Sequence, residues 1–342
     1  MPRVLLSAVC IVWALFACQA APKKTVVSKR APVVRKQVAK SAGPVQTAHR
    51  RSPYVGAISV NAETGEVIFE ENADAEAYPA SVTKLMTLLL VVEDVKAGKY
   101  AFDDRVEATA DAYRSEPSWV GIKAGEKMSV RDLCTALMVE SANDAAIVLG
   151  VHSAGSFDAF VARMNARAAE LGMKNTRYYN PNGLPPNASR RYPWKNFNVS
   201  TARDQMRLAR QLVKKPEVLA LTSVKTCDLI KTADGFRTSV TRRTNEPSRV
   251  TEALPGERVV KQLTNHNNVM RTEKLKIVNE DGKEAVDGLK TGYIDAGGSS
   301  IVLSGTRKGK RANVVVLGSS SSKERDENAR RLLMDALGAL VW

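Results

Sequence analysis

Short apolar-rich runs at 54–60 and 66–70 flank Ala62-Glu63-Thr64-Gly65, whose glycine suits a positive-φ turn position, and together they predict a β-hairpin. From 82 to 95 the period lengthens. Leu85, Met86, Leu88, Leu89 and Val92 recur at helical spacing and predict a helix with a broad buried face, placing Ser81 at its N-terminus. Helical patterns return over 130–139, 142–152 and 157–171, the last closing at Gly172, a natural C-cap. Residues 180–186 carry loop chemistry, and 201–213 is helical again until Lys214, Lys215 and Pro216. Three strands over 286–293, 299–304 and 312–317 precede a final helix over 323–340, the last two strands being joined across Lys308-Gly309-Lys310. Strands at both ends with helices between them predict an α+β domain whose sheet unites the chain ends.

Composition changes this picture only at the N-terminus. The 342 residues are 44% hydrophobic and 25% charged, an ordinary globular balance with enough apolar material for a sizeable core. Arg3, an apolar run over 4–17 and the small residues Ala20 and Ala21 read as a secretory signal over 1–21, with a run too short to span a bilayer. Leu15-Phe16-Ala17-Cys18 offers lipoprotein processing at Cys18 as the alternative, against which Phe16 is bulky. Residues 22–52 hold Lys23, Lys24, Lys29, Arg30, Arg35, Lys36, Lys40, Arg50 and Arg51, with no carboxylate before Glu63, and read as a basic disordered linker. Most of the formal +15 charge therefore belongs to this tail, and 53–342 is the folded domain. An export signal and the lack of aromatics among the cations argue against nucleic acid. Anionic lipid or an anionic wall polymer is the expected partner of the tail.

Cys10 and Cys18 fall in the signal, leaving Cys134 in an apolar segment, where a buried free thiol is the ordinary reading, and Cys227. A disulfide between the two stays open after export. The histidines His49, His152 and His266 form no metal-ligand spacing, which disfavours a zinc hydrolase.

The candidate chemistry starts in Pro79-Ala80-Ser81-Val82-Thr83-Lys84. A serine hydroxyl needs a partner to take its proton, and a lysine three residues on along a helix lies on the same face. Lys84 serves as base only when neutral, which burial beside another cation arranges. So short a pattern also arises by chance. Two further elements follow in the order this chemistry uses: Ser141-Ala142-Asn143 after the apolar 133–139, and Lys290-Thr291-Gly292 within 286–293. Ser141 and Asn143 also suit a helix start, and Thr291 and Gly292 a plain strand with a bulge.

The ordered set Ser-x-x-Lys, Ser-x-Asn, Lys-Thr-Gly resembles that of penicillin-binding proteins and class A β-lactamases. With Ser141-Ala142-Asn143-Asp144-Ala145-Ala146, Phe160-Val161-Ala162-Arg163-Met164-Asn165, Leu171-Gly172-Met173, Asn180 to Leu184 and Ser200-Thr201-Ala202-Arg203-Asp204, the likeness is to low-molecular-mass penicillin-binding proteins of the serine D-alanyl-D-alanine carboxypeptidase family. The resemblance implies a β-lactamase-like domain, with a five-stranded antiparallel sheet flanked by helices and an all-helical part, and the site between them. It implies that Ser81 attacks the penultimate D-alanine of a peptidoglycan stem peptide, that Lys84 is the base and that Ser141 relays a proton to the leaving amine. Asn143 would orient Lys84, Lys290 and Thr291 would hold the terminal carboxylate, and the N–H groups of Ser81 and Tyr293, following Gly292, would form the oxyanion hole. Peptidoglycan stem peptides and β-lactams are the partners it implies. It implies no cofactor.

Tyr293 and Ile294 stand where relatives commonly have histidine or phenylalanine and then threonine, and His266 stands where arginine occurs. A neutral imidazole there binds a carboxylate less strongly, so affinity is expected to fall at alkaline pH. Trp119 is expected to pack in the core. The β-rich C-terminal domain and amphipathic anchor of many such carboxypeptidases are expected to be absent. A DD-endopeptidase of the same fold is the first rival. A β-lactamase needs a positioned deacylating glutamate, and the chain shows no convincing counterpart to that motif between Asn143 and Lys290; a non-catalytic wall-binding protein sits poorly with three intact motifs.

Overall fold

The computed structural model describes residues 51–109, 112, 118–188 and 194–341. The signal and nearly all of the basic segment lie outside these residues, but Arg51 and Ser52 belong to the folded part. Arg51 bridges to Ser319 and donates to the carbonyls of Tyr54 and Val55, and Ser52 Oγ donates to Glu324.

The hairpin forms as β1 (Gly56–Asn61) and β2 (Val67–Glu71). A 3-10 turn (Ala80–Thr83) then leads into α1 (Lys84–Lys96). Ser81 therefore sits in the tighter turn before the helix, and Lys84 is the first helical residue. Every residue of α1 from Lys84 to Val92 is buried, so the helix runs through the core instead of showing it one face. A short ribbon, β3 (Arg105–Glu107) with β4 (Lys127–Ser129), precedes α2 (Val130–Val139), α3 (Asn143–Ala154) and α4 (Phe157–Glu170). Next come α5 (Ala202–Leu212) and α6 (Pro216–Thr222). The side chains of Ser129, Ser156 and Thr201 accept backbone N–H bonds at the starts of α2, α4 and α5, each a cap worth about 1 kcal/mol.

Sequence periodicity does not disclose the next element, a three-stranded antiparallel sheet of β5 (Val224–Lys231), β6 (Phe236–Arg243) and β7 (Arg258–Thr264) in the order β6-β5-β7. The short α7 (Asn268–Arg271) leads to β8 (Val286–Ile294), β9 (Gly298–Arg307), β10 (Lys310–Ser319) and α8 (Ser322–Val341). The main sheet has the order β2-β1-β10-β9-β8, antiparallel throughout, so both chain ends share it and β8 is an edge. Along β10, Ala312, Val314 and Val316 join the α8 core with Leu332, Leu333 and Ala336, while Val315 and Leu317 join the core built on α1. Burial on both faces accounts for the apolar runs 301–303 in β9 and 314–317 in β10. Cys134 and Cys227 are both buried and free, and burial pushes each thiol up to about 12.

Candidate active site

The edge strand β8 passes directly beneath the 3-10 turn. A Cβ at Gly292 would lie 2.6 Å from Pro79 O and 3.0 Å from Ser81 N, so only glycine lets the two backbones meet. Ala80 and Ser141, with φ of +49° and +61°, are left-handed non-glycine residues at this site; the others among the described residues are three asparagines and Lys308 in a hairpin turn. Such strained backbone concentrates where structure holds reactive groups in place. Ser141 is thus not the cap of α3, a position Ala142 takes.

The turn, the segment before α3, the loop after Asn180 and strand β8 enclose a cleft of about 270 Å³ lined by Ser81, Ser141, Asn143, His266, Thr291 and Tyr293 among others. A larger cavity of about 400 Å³, between Phe102, Arg131, Glu217, Val240 and Arg243, is lined by no lysine or histidine, and its Thr238 hydroxyl is tied to the Asp132 carboxylate at 2.7 Å. The smaller cleft is the chemical site.

Lys84 is fully buried, with Nζ 2.9 Å from Ser81 Oγ, 2.7 Å from Asn143 Oδ1 and 2.7 Å from the carbonyl of Asn182. A neutral amine has two N–H donors and one lone pair. As an ammonium Lys84 donates to all three oxygens; once neutral, its two donors stay on the carbonyl-type oxygens and the lone pair faces the Ser81 hydroxyl. Burial holds Lys84 well below the ordinary lysine range, and the Lys290 charge adds to this, with Asp144 opposing. Lys290 is also buried, with Nζ donating to Thr291 O at 3.1 Å, and burial followed by the Arg325 charge lowers it to about 7. The two lysines are unequal. After burial, the next influence on Lys84 is the Lys290 charge, and the next on Lys290 is the Arg325 charge.

Asn143 is held by its own N–H, donated to Ser118 O at 2.8 Å. Next to it, the buried Asp144 carboxylate accepts N–H bonds from Val120, Gly121, Ile122 and Ala145, strapping the 118–122 segment over the start of α3. Trp119 in that segment is 41% exposed, which corrects its expected place in the core; with the backbone tied to Asp144, the ring is left at the surface.

Tyr293 lines the mouth of the cleft, exposed, its phenol donating to Asp295 at 2.6 Å. His266 is exposed at the cleft rim, yet partial burial of its ring, then Lys290, Lys84 and Arg271, push its imidazole down to about 4. It is neutral through the physiological range. The alkaline loss of affinity expected from His266 therefore has no charge on that residue to lose.

Two contributors escape sequence reasoning. Arg325, buried at the start of α8 and paired with Asp326 at 2.7 Å, lines the cleft and brings a second cation near Lys290. The carbonyl of Asn182 is the other. Asn180-Pro181-Asn182-Gly183 marks a loop, but nothing in its pattern points to Lys84.

An α+β fold with a two-faced antiparallel sheet, and these three motifs around one cleft, define the penicillin-binding-protein/DD-peptidase class. The profile of the family described as D-alanyl-D-alanine carboxypeptidase, peptidase S11, matches residues 54–321, and the chain belongs to that family. It is 28% identical over 277 residues to the D-alanyl-D-alanine carboxypeptidase DacF of Bacillus subtilis, covering 81% of this chain and 60% of that one. The chain thus spans less than two thirds of that relative's length. A D-alanyl-D-alanine endopeptidase of Pseudomonas aeruginosa is 35% identical over 153 residues, 44% of this chain and 45% of that protein. Penicillin-Binding Protein D2 from Listeria monocytogenes, solved in an ampicillin-bound form, superposes with a TM-score of 0.63 at 28% identity, over 83% of this chain and 97% of that one.

Proposed function

We propose that the chain is a serine D-alanyl-D-alanine carboxypeptidase that trims peptidoglycan stem peptides and is acylated by β-lactams. The observation that carries this reading is the set of partners around Lys84 Nζ, which fits a neutral amine aimed at Ser81 Oγ. In the forward step Lys84 takes the hydroxyl proton as Ser81 Oγ bonds to the carbonyl carbon of the penultimate D-alanine. The N–H groups of Ser81 and Tyr293 receive the oxyanion, brought together by the contact at Gly292. Ser141 relays the proton held by Lys84 to the leaving nitrogen, which leaves Lys84 neutral again, the C–N bond breaks and free D-alanine departs. Water, deprotonated by Lys84, then cleaves the Ser81 ester and restores the enzyme. Lys290, Thr291 and Arg325 hold the terminal carboxylate, and the free edge of β8 offers backbone groups to an extended peptide. Asn143 fixes Lys84, and His266 gives the pocket rim a neutral hydrogen-bonding group.

The Pseudomonas relative's name supports a second reading, cleavage of the D-alanyl crosslink between stem peptides by the same chemistry. We also propose export through residues 1–21, with cell-envelope localisation or, by the alternative, lipid anchoring at Cys18. Residues 22–52 form a basic tether for anionic wall polymer or lipid, a reading supported by their run of cations without a carboxylate.

The test is product analysis of the purified chain on a soluble pentapeptide and on crosslinked dimers. Free D-alanine from the pentapeptide, absent with Ser81→Ala, is the expected result. Cleavage of dimers alone replaces the first reading with the second, and turnover by the Ala variant overturns both.

A further inference from the structure

The second N–H of a neutral Lys84 is placed by a carbonyl 98 residues away in sequence, and a loop carbonyl stays on one nitrogen only where its loop is held. Three consecutive carbonyls of this loop are committed to side chains. Asn180 O accepts from Asn198 Nδ2 at 3.0 Å, Pro181 O from Thr87 Oγ1 at 2.7 Å and Asn182 O from Lys84 Nζ at 2.7 Å. Thr87 and Lys84 are one turn apart on α1, so the loop lies along the helix. Its N–H groups are taken as well. Asn180 Oδ1 accepts from Gly183 N at 2.6 Å, and Asn198 Oδ1 accepts from Tyr179 N at 2.6 Å and Asn180 N at 3.2 Å. Gly183 rests against the Ser81 turn, where a Cβ would fall 1.9 Å from Ala80 O.

Asn198 is the group that touches both halves. Besides the loop, its Nδ2 donates to Thr83 Oγ1 at 3.1 Å, inside the turn that carries Ser81. It is 3% exposed, and its accepted bonds from Tyr179 N and Asn180 N and donated bonds to Thr83 Oγ1 and Asn180 O use all four places of the amide. We infer that Asn198 is a positioning residue for acylation: it clamps the 180–184 loop to the Ser81 turn, and so keeps Asn182 O on Lys84 and the lysine lone pair on Ser81. Its hydrogen bonds go to neither Ser81 nor Lys84. The inference rests on the reading of Lys84 as base.

The test uses Asn198→Asp in the full chain. The substitution keeps side-chain volume and the two accepted bonds but sets a carboxylate oxygen against the carbonyl of Asn180. Acylation by a penicillin is resolved into the pre-covalent dissociation constant, the acylation rate constant and the number of sites titrated per folded chain. We expect the rate constant to fall about 10- to 100-fold with the dissociation constant and the titrated fraction unchanged, as a displacement of reacting groups by an ångström produces. A wild-type rate constant overturns the inference, and so does a reduced titrated fraction with a normal rate per titrated site, which marks a purely structural residue. Thr83→Val, which removes one acceptor of the clamp, should slow acylation less than Asn198→Asp; the reverse order also overturns it. Absence of a Ser81 adduct in the wild-type chain instead removes the base reading beneath the inference.

Discussion

Lys84, beneath the cleft, and Lys225, at the root of β5, are buried to 0% and 1% exposure, yet their surroundings are opposite. Around Lys84 stand a hydroxyl, an amide oxygen and a carbonyl, with a second lysine close by. Lys225 instead meets the Glu284 carboxylate, which Lys276 shares at 3.3 Å. Burial lowers both amines. At Lys225 the Glu284 partner pulls the other way, whereas at Lys84 the next influence, Lys290, adds to burial. Burial alone therefore does not make a base. Neutral acceptors and a neighbouring cation do, while a carboxylate turns the same residue into a tie between the β5 sheet and the segment entering β8.

The same substitution at both lysines gives the largest contrast. Lys84→Arg should slow penicillin acylation about a thousandfold, because arginine keeps the charge but cannot act as base. Lys225→Arg keeps its ion pair and should acylate near the wild-type rate. Equal effects at the two positions, read by intact mass against time, would erase the distinction.

Next in size is the stability of the tie. Glu284→Gln leaves a buried ammonium without its partner and should cost about 3 kcal/mol in denaturant unfolding, with acylation per titrated site unchanged. An unchanged midpoint would show that Lys225 needs no carboxylate.

A smaller effect follows from Lys290, lowered to about 7. A bound carboxylate favours its charged form, so binding takes up a proton above pH 7 and none below it. Affinity for an acyl-D-alanyl-D-alanine ligand should be flat below pH 7 and weaken by up to about tenfold per pH unit above it. Affinity rising with pH would place the carboxylate elsewhere. The smallest change is expected for His266→Ala, a few-fold loss of affinity with no inflection near pH 6.5, since the imidazole is neutral there. An inflection that the variant abolishes would mean that His266 is charged.

The same contrast explains what the sequence could disclose. Ser81 and Lys84 are three residues apart, and Ser141, Asn143 and Lys290 sit in short ordered motifs, so local spacing exposes them. The hairpin, α2 to α5 and the last three strands have clear periods. The β5-β6-β7 sheet does not: β7 is exposed at five successive residues and β6 is half-buried at four, so no alternation betrays them. Arg325 reads as an ordinary polar residue at a helix start, and Asn182 reaches Lys84 through its backbone, which side-chain identity cannot encode. Asn198 and Glu284 owe their roles to partners 115 and 59 residues away. Long-range pairing of this kind leaves no period to read.

The central claim, that Lys84 is neutral when it meets Ser81, is tested most directly by the pH dependence of the acylation rate constant at saturating penicillin. A base held well below the ordinary lysine value of about 10.4 gives a rate that climbs at acid pH and reaches its plateau before the alkaline range. A rate still rising about tenfold per pH unit between pH 9 and 10 would show an ordinary ammonium at that position and contradict the account.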